Sequence, residues 1–114
     1  MHELSLAQNL VSDILAIVER EQAKKVFSVT VSIGALSGVE RDPMEFCFPE
    51  VARETPLEGC SFHVQEQALV VLCGECKRTS SPSIHAIFCC YCKSGNVEII
   101  EGKEFKLMEL EVDV

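Results

Sequence analysis

Apolar residues recur at helical spacing at Leu4, Ala7, Val11, Ile14 and Val18, and Leu10, Leu15 and Ile17 widen the stripe. This pattern predicts a helix with one buried face. Ser5 followed three residues later by Gln8 resembles a capping box. The helix is therefore expected to begin at Ser5, with the first four residues projecting as a free arm. Lys24 and Lys25 are placed to close it favourably for its dipole. The period then changes to two: Phe27, Val29, Val31, Ile33 and Ala35 alternate with Ser28, Thr30, Ser32 and Gly34. That alternation predicts a strand with one buried and one polar face.

A loop around Gly38 to Arg41 leads to Asp42-Pro43, which fits an N-cap followed by proline in the first helical turn. Met44, Cys47, Phe48 and Val51 trace the inner face of a second helix, in which Pro49 removes a backbone donor and is expected to produce a kink. Phe62 to Gln67 reads as a second strand, with a possible continuation through Ala68 to Leu72. Thr79 to Ser83 reads as loop, Val97 to Ile100 as a short strand and Lys103 to Val112 as a longer one. In the last strand Phe105, Leu107 and Glu109 are expected on one side, and Lys106, Met108 and Leu110 on the other. The fold class that follows is α+β, with two helices packed on a small mixed sheet and a cysteine module inserted before the last strand. The expected division is a first domain of residues 1–67 plus 103–114 and a zinc-ribbon-like module of residues 68–102.

The chain has 114 residues and a formal charge of -8, with no clustered Lys/Arg stripe. Such a surface repels a phosphate backbone, so no nucleic-acid partner is expected. The apolar run from Ala68 to Cys73 is far too short to span a bilayer, so no membrane partner is expected either. The absence of a basic n-region at the start points to a cytoplasmic protein.

Four of the seven cysteines form two CxxC pairs, Cys73-Gly-Glu-Cys76 and Cys89-Cys90-Tyr91-Cys92, with twelve residues between them. Two facing knuckles of this kind can set four thiolates at tetrahedral corners around Zn²⁺. Two disulfides would need an oxidising compartment that nothing else in the chain suggests. Iron in a rubredoxin-like cage competes for the same ligands. Since all four positions would be protein-filled, a zinc ion here would be structural, with no open position for water. Cys90 adds a neighbouring thiol, but the two-residue spacing favours Cys89 and Cys92 as the ligating pair. Cys47 reads as a small buried hydrophobe, and Cys60 has no evident partner.

His2 has different chemistry. The initiator Met is expected to remain before so bulky a residue. The terminal amine, the His2 amide nitrogen and the His2 imidazole can then close adjoining chelate rings around one ion. A nitrogen-rich, near-planar set suits Ni(II) or Cu(II), with a fourth donor from Glu3 or elsewhere. His63 and His85 read as surface or hydrogen-bonded residues, with His85 the better spare ligand. No nucleophilic triad, phosphate-cradling loop or carboxylate pair indicates an enzyme.

Met1-His2-Glu3-Leu4-Ser5, Ile33-Gly34-Ala35-Leu36-Ser37, Glu40, Glu58-Gly59-Cys60 and the two CxxC pairs occur in this order along the chain. Together they resemble the HypA/HybF family of hydrogenase-maturation nickel metallochaperones over essentially the whole length. The resemblance implies a protein that receives Ni²⁺ as cargo and helps deliver it to the large subunit of a nickel-iron hydrogenase, in cooperation with a GTPase. It also implies structural Zn²⁺ on Cys73, Cys76, Cys89 and Cys92, nickel on His2, and Glu3 and Glu40 associated with the nickel site. Some family members also serve urease maturation, and both monomers and homodimers occur. The chain departs from the family pattern at Cys90, where proline is usual, and at the Lys93-Ser94-Gly95 turn. A zinc-ribbon interaction adaptor without a second metal, and an iron-bearing electron carrier, are the other readings of the cysteine pattern.

Overall fold

The computed structural model describes residues 2–113, with His2 described by its backbone alone. Helix α1 spans His2–Arg20, strand β1 Lys25–Gly34, helix α2 Arg41–Ala52, β2 Ser61–Gln67, β3 Val70–Cys73, β4 Thr79–Ser80, β5 Val97–Glu101 and β6 Phe105–Asp113. Two three-stranded sheets result, ordered β2-β1-β6 and β4-β3-β5. In the first, β1 is central, parallel to β2 and antiparallel to β6. The second is antiparallel throughout.

From Ala7 onward the α1 stripe is buried as its spacing requires, with Ala7, Leu10, Val11, Ile14 and Val18 facing the core, but Leu4 in the first turn is 36% exposed. Its start differs from expectation, because residues 2–4 belong to the first helical turn and no free arm precedes Ser5 among the described residues. Glu3 in that turn faces the positive end of the helix dipole, which favours the earlier start. Its end also differs, since Lys24 and Lys25 lie beyond it. Gln22 adopts φ 57, and the Ala23 and Gln22 amides donate back to the Val18 and Glu19 carbonyls at 2.9 and 3.2 Å. This left-handed closure stops the helix before either lysine.

Core residues Val11, Ile14 and Val18 of α1 pack with Val26, Val29 and Val31 of β1 and Phe48 and Ala52 of α2. The Phe48 ring stacks on Phe62 with centroids 4.2 Å apart. Around Met44, a smaller cluster joins Ala7, Ile33 and Val39. The N-cap of α2 is Glu40 rather than Asp42, and Pro43 falls within the first turn, where its missing N–H has no consequence. Pro49 lies inside α2, which continues to Ala52.

Two bulges change the side-chain phase that strict alternation implies. Register shifts between Val26 and Ser28, so Val26 is buried and Phe27 is 52% exposed. A second shift, opposite Thr30 and Val31, pairs Glu109 with Thr30 and Leu107 with Val31 and leaves Met108 between them. Beyond it Leu110 and Val112, not Glu109, join Phe105 and Leu107 against the core. Strand β2 does not run on into β3: Ala68 and Leu69 separate them, and β3 pairs in the other sheet. Thr79 and Ser80, expected as loop, pair with Leu72 and Val71.

The chain leaves the first sheet after Gln67 and returns through Gly102. Between these crossings lie the end of β1 and the residues that follow it, where the Gly34, Ala35 and Leu36 amides donate to the Glu104, Gln67 and Gly102 carbonyls at 2.9, 2.9 and 2.7 Å. A side chain at Gly34 would bring a Cβ within 2.5 Å of Gly102 backbone. Only glycine permits that approach.

Candidate metal centre

Each cysteine pair folds into the same local structure. The Glu75 and Cys76 amides donate to Cys73 Sγ at 3.3 and 3.4 Å, and the Tyr91 and Cys92 amides donate to Cys89 Sγ at the same two distances. The residue after each pair is a lysine in the left-handed region, Lys77 at φ 63 and Lys93 at φ 66. Their amides donate to the Cys73 and Cys89 carbonyls at 3.1 and 3.0 Å, closing each knuckle. Strand β3 delivers the first knuckle directly, since Cys73 is its last residue and pairs with Val97.

The two knuckles bring Cys73, Cys76, Cys89 and Cys92 together with all four sulfurs within 4.8 Å of one another. Cys73 and Cys92 are 3.5 Å apart, and Cys76 and Cys89 are 3.6 Å apart. A tetrahedron with metal–sulfur bonds of about 2.3 Å has edges of about 3.8 Å, so the four thiols fit a zinc-sized ion. A disulfide needs sulfurs about 2.05 Å apart, which these are not. Cys73 and Cys89 are buried, Cys76 is half-buried and Cys92 is exposed. Cys90 is exposed and outside the cluster, while Cys47 and Cys60 lie half-buried in the helical part of the molecule.

The amide donors prepare thiolates. The Cys92 amide, with that of Tyr91, holds Cys89 down to about 6 despite burial. Cys73 is lowered in the same manner, chiefly by the Cys76 amide. Cys92 moves the other way, up to about 11: the Ser94 amide favours its thiolate but is outweighed by the hydrogen bond to Cys73, desolvation and the other sulfurs. Cys76 is also raised, the Arg78 amide being outweighed by desolvation and its contacts with Cys89 and Cys73. Within the metal-free cluster the first cysteine of each pair is thus the readier anion and the second the readier proton donor. Cys73, Cys76, Cys89 and Cys92 would hold a divalent ion in place of those shared protons, and the ion would cross-link β3 to the second knuckle.

Outside the cysteine cluster, Glu3 and Glu40 come together across the two helix starts. Glu3 Oε2 accepts the Glu40 amide at 3.3 Å. Next to it Arg41 donates to Glu66 at 3.2 Å, to Glu45 at 3.4 Å and to the Val64 carbonyl at 3.4 Å, pinning the start of α2 to β2. Glu66 foremost, then Glu45, push the Arg41 guanidinium further above its ordinary range. The Met1 amine and the His2 imidazole, expected to lead a nickel site, lie outside the described residues. His63 sits on β2 opposite Thr30, and His85 is exposed with its amide donating to Ser83 Oγ at 3.1 Å. Neither belongs to the cysteine cluster. The Arg41 anchor and the paired knuckle lysines escaped the reading of the sequence. The one available signal was that a lysine follows each CxxC pair.

The family model described as hydrogenase/urease nickel incorporation, metallochaperone, hypA matches residues 1–112. The hydrogenase maturation factor HypA of Pectobacterium atrosepticum is 35% identical over 117 aligned positions, covering all of both chains. The hydrogenase maturation factor HybF of Klebsiella pneumoniae is 32% identical over 111 positions, covering 97% of this chain and 98% of its own. Among solved structures, the solution structure of a HypA protein superposes with a TM-score of 0.74 at 25% identity, covering 98% of this chain and 96% of that one. No helix among the described residues is long and apolar enough to cross a membrane.

Proposed function

The chain belongs to the HypA family of nickel-incorporation metallochaperones of hydrogenase maturation, and from that premise we propose that it binds Ni(II) at its N-terminus and delivers it to the large subunit of a nickel-iron hydrogenase. In this reading residues 1–67 with 103–114 form the nickel-binding domain, and 68–102 form a zinc-binding module held by Cys73, Cys76, Cys89 and Cys92. The observation that carries it is the meeting of Glu3 and Glu40 at the starts of the two helices, beside the residue whose imidazole leads the chelate.

Helix geometry supports the His2 site. The first four amides of an α-helix have no intrahelical acceptor, so with α1 starting at His2 its amide nitrogen is not committed to the helical ladder. The positive end of the helix dipole opposes a cation there. Glu3, Glu40 and Asp42, gathered at the two helix starts, offset that opposition. The balance favours modest, exchangeable binding, which suits a protein that must give its metal up. The zinc cage has the opposite character: it is saturated by four sulfurs and organises the module. Delivery is read as cooperative with a maturation GTPase, with urease maturation proteins as further partners, in the cytoplasm and as a monomer or homodimer.

Calorimetry on zinc-loaded, tag-free protein tests the reading. Near-stoichiometric nickel binding is expected to disappear in His2→Ala with zinc retained, and also when residues are added before Met1. Equal binding by native and variant chains would remove His2 as the anchor. No binding by either would favour the interaction adaptor.

A further inference from the structure

The cations of this acidic protein are not evenly placed. Between Cys73 and Asn96, Lys77, Arg78 and Lys93 stand against a single carboxylate, Glu75, while the whole chain carries -8. The knuckles are therefore a basic tip on a strongly acidic body. All three cations are exposed, and so are Tyr91, at 59%, and Ile84, at 41%.

One role for such cations would be to neutralise the thiolates, but their contacts point elsewhere. The sulfurs of Cys73 and Cys89 receive backbone amides. Lys77 Nζ donates to the Gly74 carbonyl at 2.7 Å, and Lys93 Nζ to the Cys90 carbonyl at 3.3 Å. The Arg78 guanidinium lies 5.0 Å from the centre of the Tyr91 ring, and Lys93 Nζ lies 5.6 Å from that of Phe88. Ion pairs among the described residues involve Arg20, Arg41 and Arg53, none of them in this module. The one nearby carboxylate, on Glu75, accepts from Asn96 Nδ2 at 3.3 Å. Three cations are thus held in place, two of them against aromatic rings, with no ion-pair partner among the described residues.

We propose that this face of the two knuckles, formed by Lys77, Arg78, Lys93 and Tyr91, is a docking surface for an acidic segment of a partner protein. Carboxylates of the segment meet the cations, and an apolar side chain between them packs on the Tyr91 ring. Arginine and tyrosine are among the residue types that dominate binding energy at interfaces. A nucleic acid would present the same charge, but its strand continues beyond three cations into the field of the acidic body. A short peptide touches the tip alone.

The test uses zinc-loaded full-length protein and a fluorescein-labelled decapeptide alternating Glu with Leu, read by anisotropy at low and at physiological salt. A Gln/Leu decapeptide and a ten-nucleotide oligo-dT are compared alongside it. The expected result is salt-sensitive binding of the acidic peptide only, weakened about tenfold or more in Lys77→Gln/Arg78→Gln/Lys93→Gln. That variant should retain its zinc and its nickel binding, so failure here is separate from failure of the N-terminal nickel site. Should the triple variant lose zinc, Tyr91→Ala takes its place and is expected to weaken the peptide several-fold. Equal peptide binding by native and zinc-retaining variant chains would overturn the proposal. So would tighter binding of oligo-dT, or sedimentation showing that the tip docks on the body of a second copy.

Discussion

The Glu3 carboxylate accepts the backbone amide of Glu40, 37 positions away in sequence, at 3.3 Å. Helix α2 has no side-chain cap of its own at Glu40. The first turn of α1 therefore supplies an anion at the start of α2 as well as at its own, where two helix dipoles favour it.

Replacing Glu3 separates its two roles. Glu3→Gln keeps an oxygen acceptor but loses the charge that the two dipoles favour, so it should cost less stability in urea than Glu3→Ala while nickel affinity falls several-fold. Glu3→Ala should also lower stability by about 0.5–1 kcal/mol, as for the loss of a helix cap. Unchanged nickel affinity in Glu3→Gln would take the carboxylate out of the nickel site.

The matched knuckles predict which cysteines hold zinc. Cys73→Ser or Cys89→Ser removes a sulfur served by two amides, and the zinc-to-protein ratio measured by atomic emission should collapse, with loss of order in the β3–β5 sheet. Cys90→Ser leaves the four-sulfur cluster untouched and should retain full zinc. Loss of zinc in Cys90→Ser would show that this neighbouring thiol takes part in ligation.

The metal-free protein should show a bell-shaped stability profile against pH. Cys89, lowered from its ordinary 9.0 to about 6, is ionised when folded and protonated when unfolded between those values. The unfolded chain then binds more protons, so stability rises with pH and is lost as pH falls through about 6. Cys92, raised from 9.0 to about 11, reverses the sign above pH 9, because there the folded chain holds the extra proton. Denaturation of chelator-treated protein at a series of pH values should therefore find greatest stability near 9. A monotonic profile would show that the thiols do not share protons in this way.

At the junction between the sheets, Gly102 has φ +100 and an added Cβ would lie 2.7 Å from the Leu69 Cα. Both the backbone conformation and the space exclude a side chain. Gly102→Ala should cost about 2 kcal/mol or more in a urea titration of the zinc-loaded protein. Gly59→Ala is the control: it shares a positive φ of +77 but has nothing within 4 Å of the added Cβ. It should cost less. Equal losses would mean that conformation alone, not the close approach, sets the requirement at Gly102.

Local pattern was enough to place the helices and most strands. The apolar stripe from Ala7 to Val18 needs only a helix to become one face. The CxxC spacing needs only a tight turn to point two sulfurs the same way. The family was legible for a related reason, since its markers are short segments whose order survives in one dimension.

Pairing decided what pattern could not. Alternation cannot register a bulge, so the burial of Val26 over Phe27, and of Leu110 over Glu109, depends on how β1 and β6 pair. Nor does composition reveal that Glu3 reaches Glu40, that Arg41 binds Glu66, or that the knuckle cations turn away from the sulfurs. Each of these depends on distances between residues far apart in the chain or on the direction of a side chain, which only packing of the whole molecule sets. The sequence by itself determined which chemistry was present: soft sulfur ligands in two matched pairs and a nitrogen-rich terminus. Tertiary structure decided which groups meet and which are left facing outward.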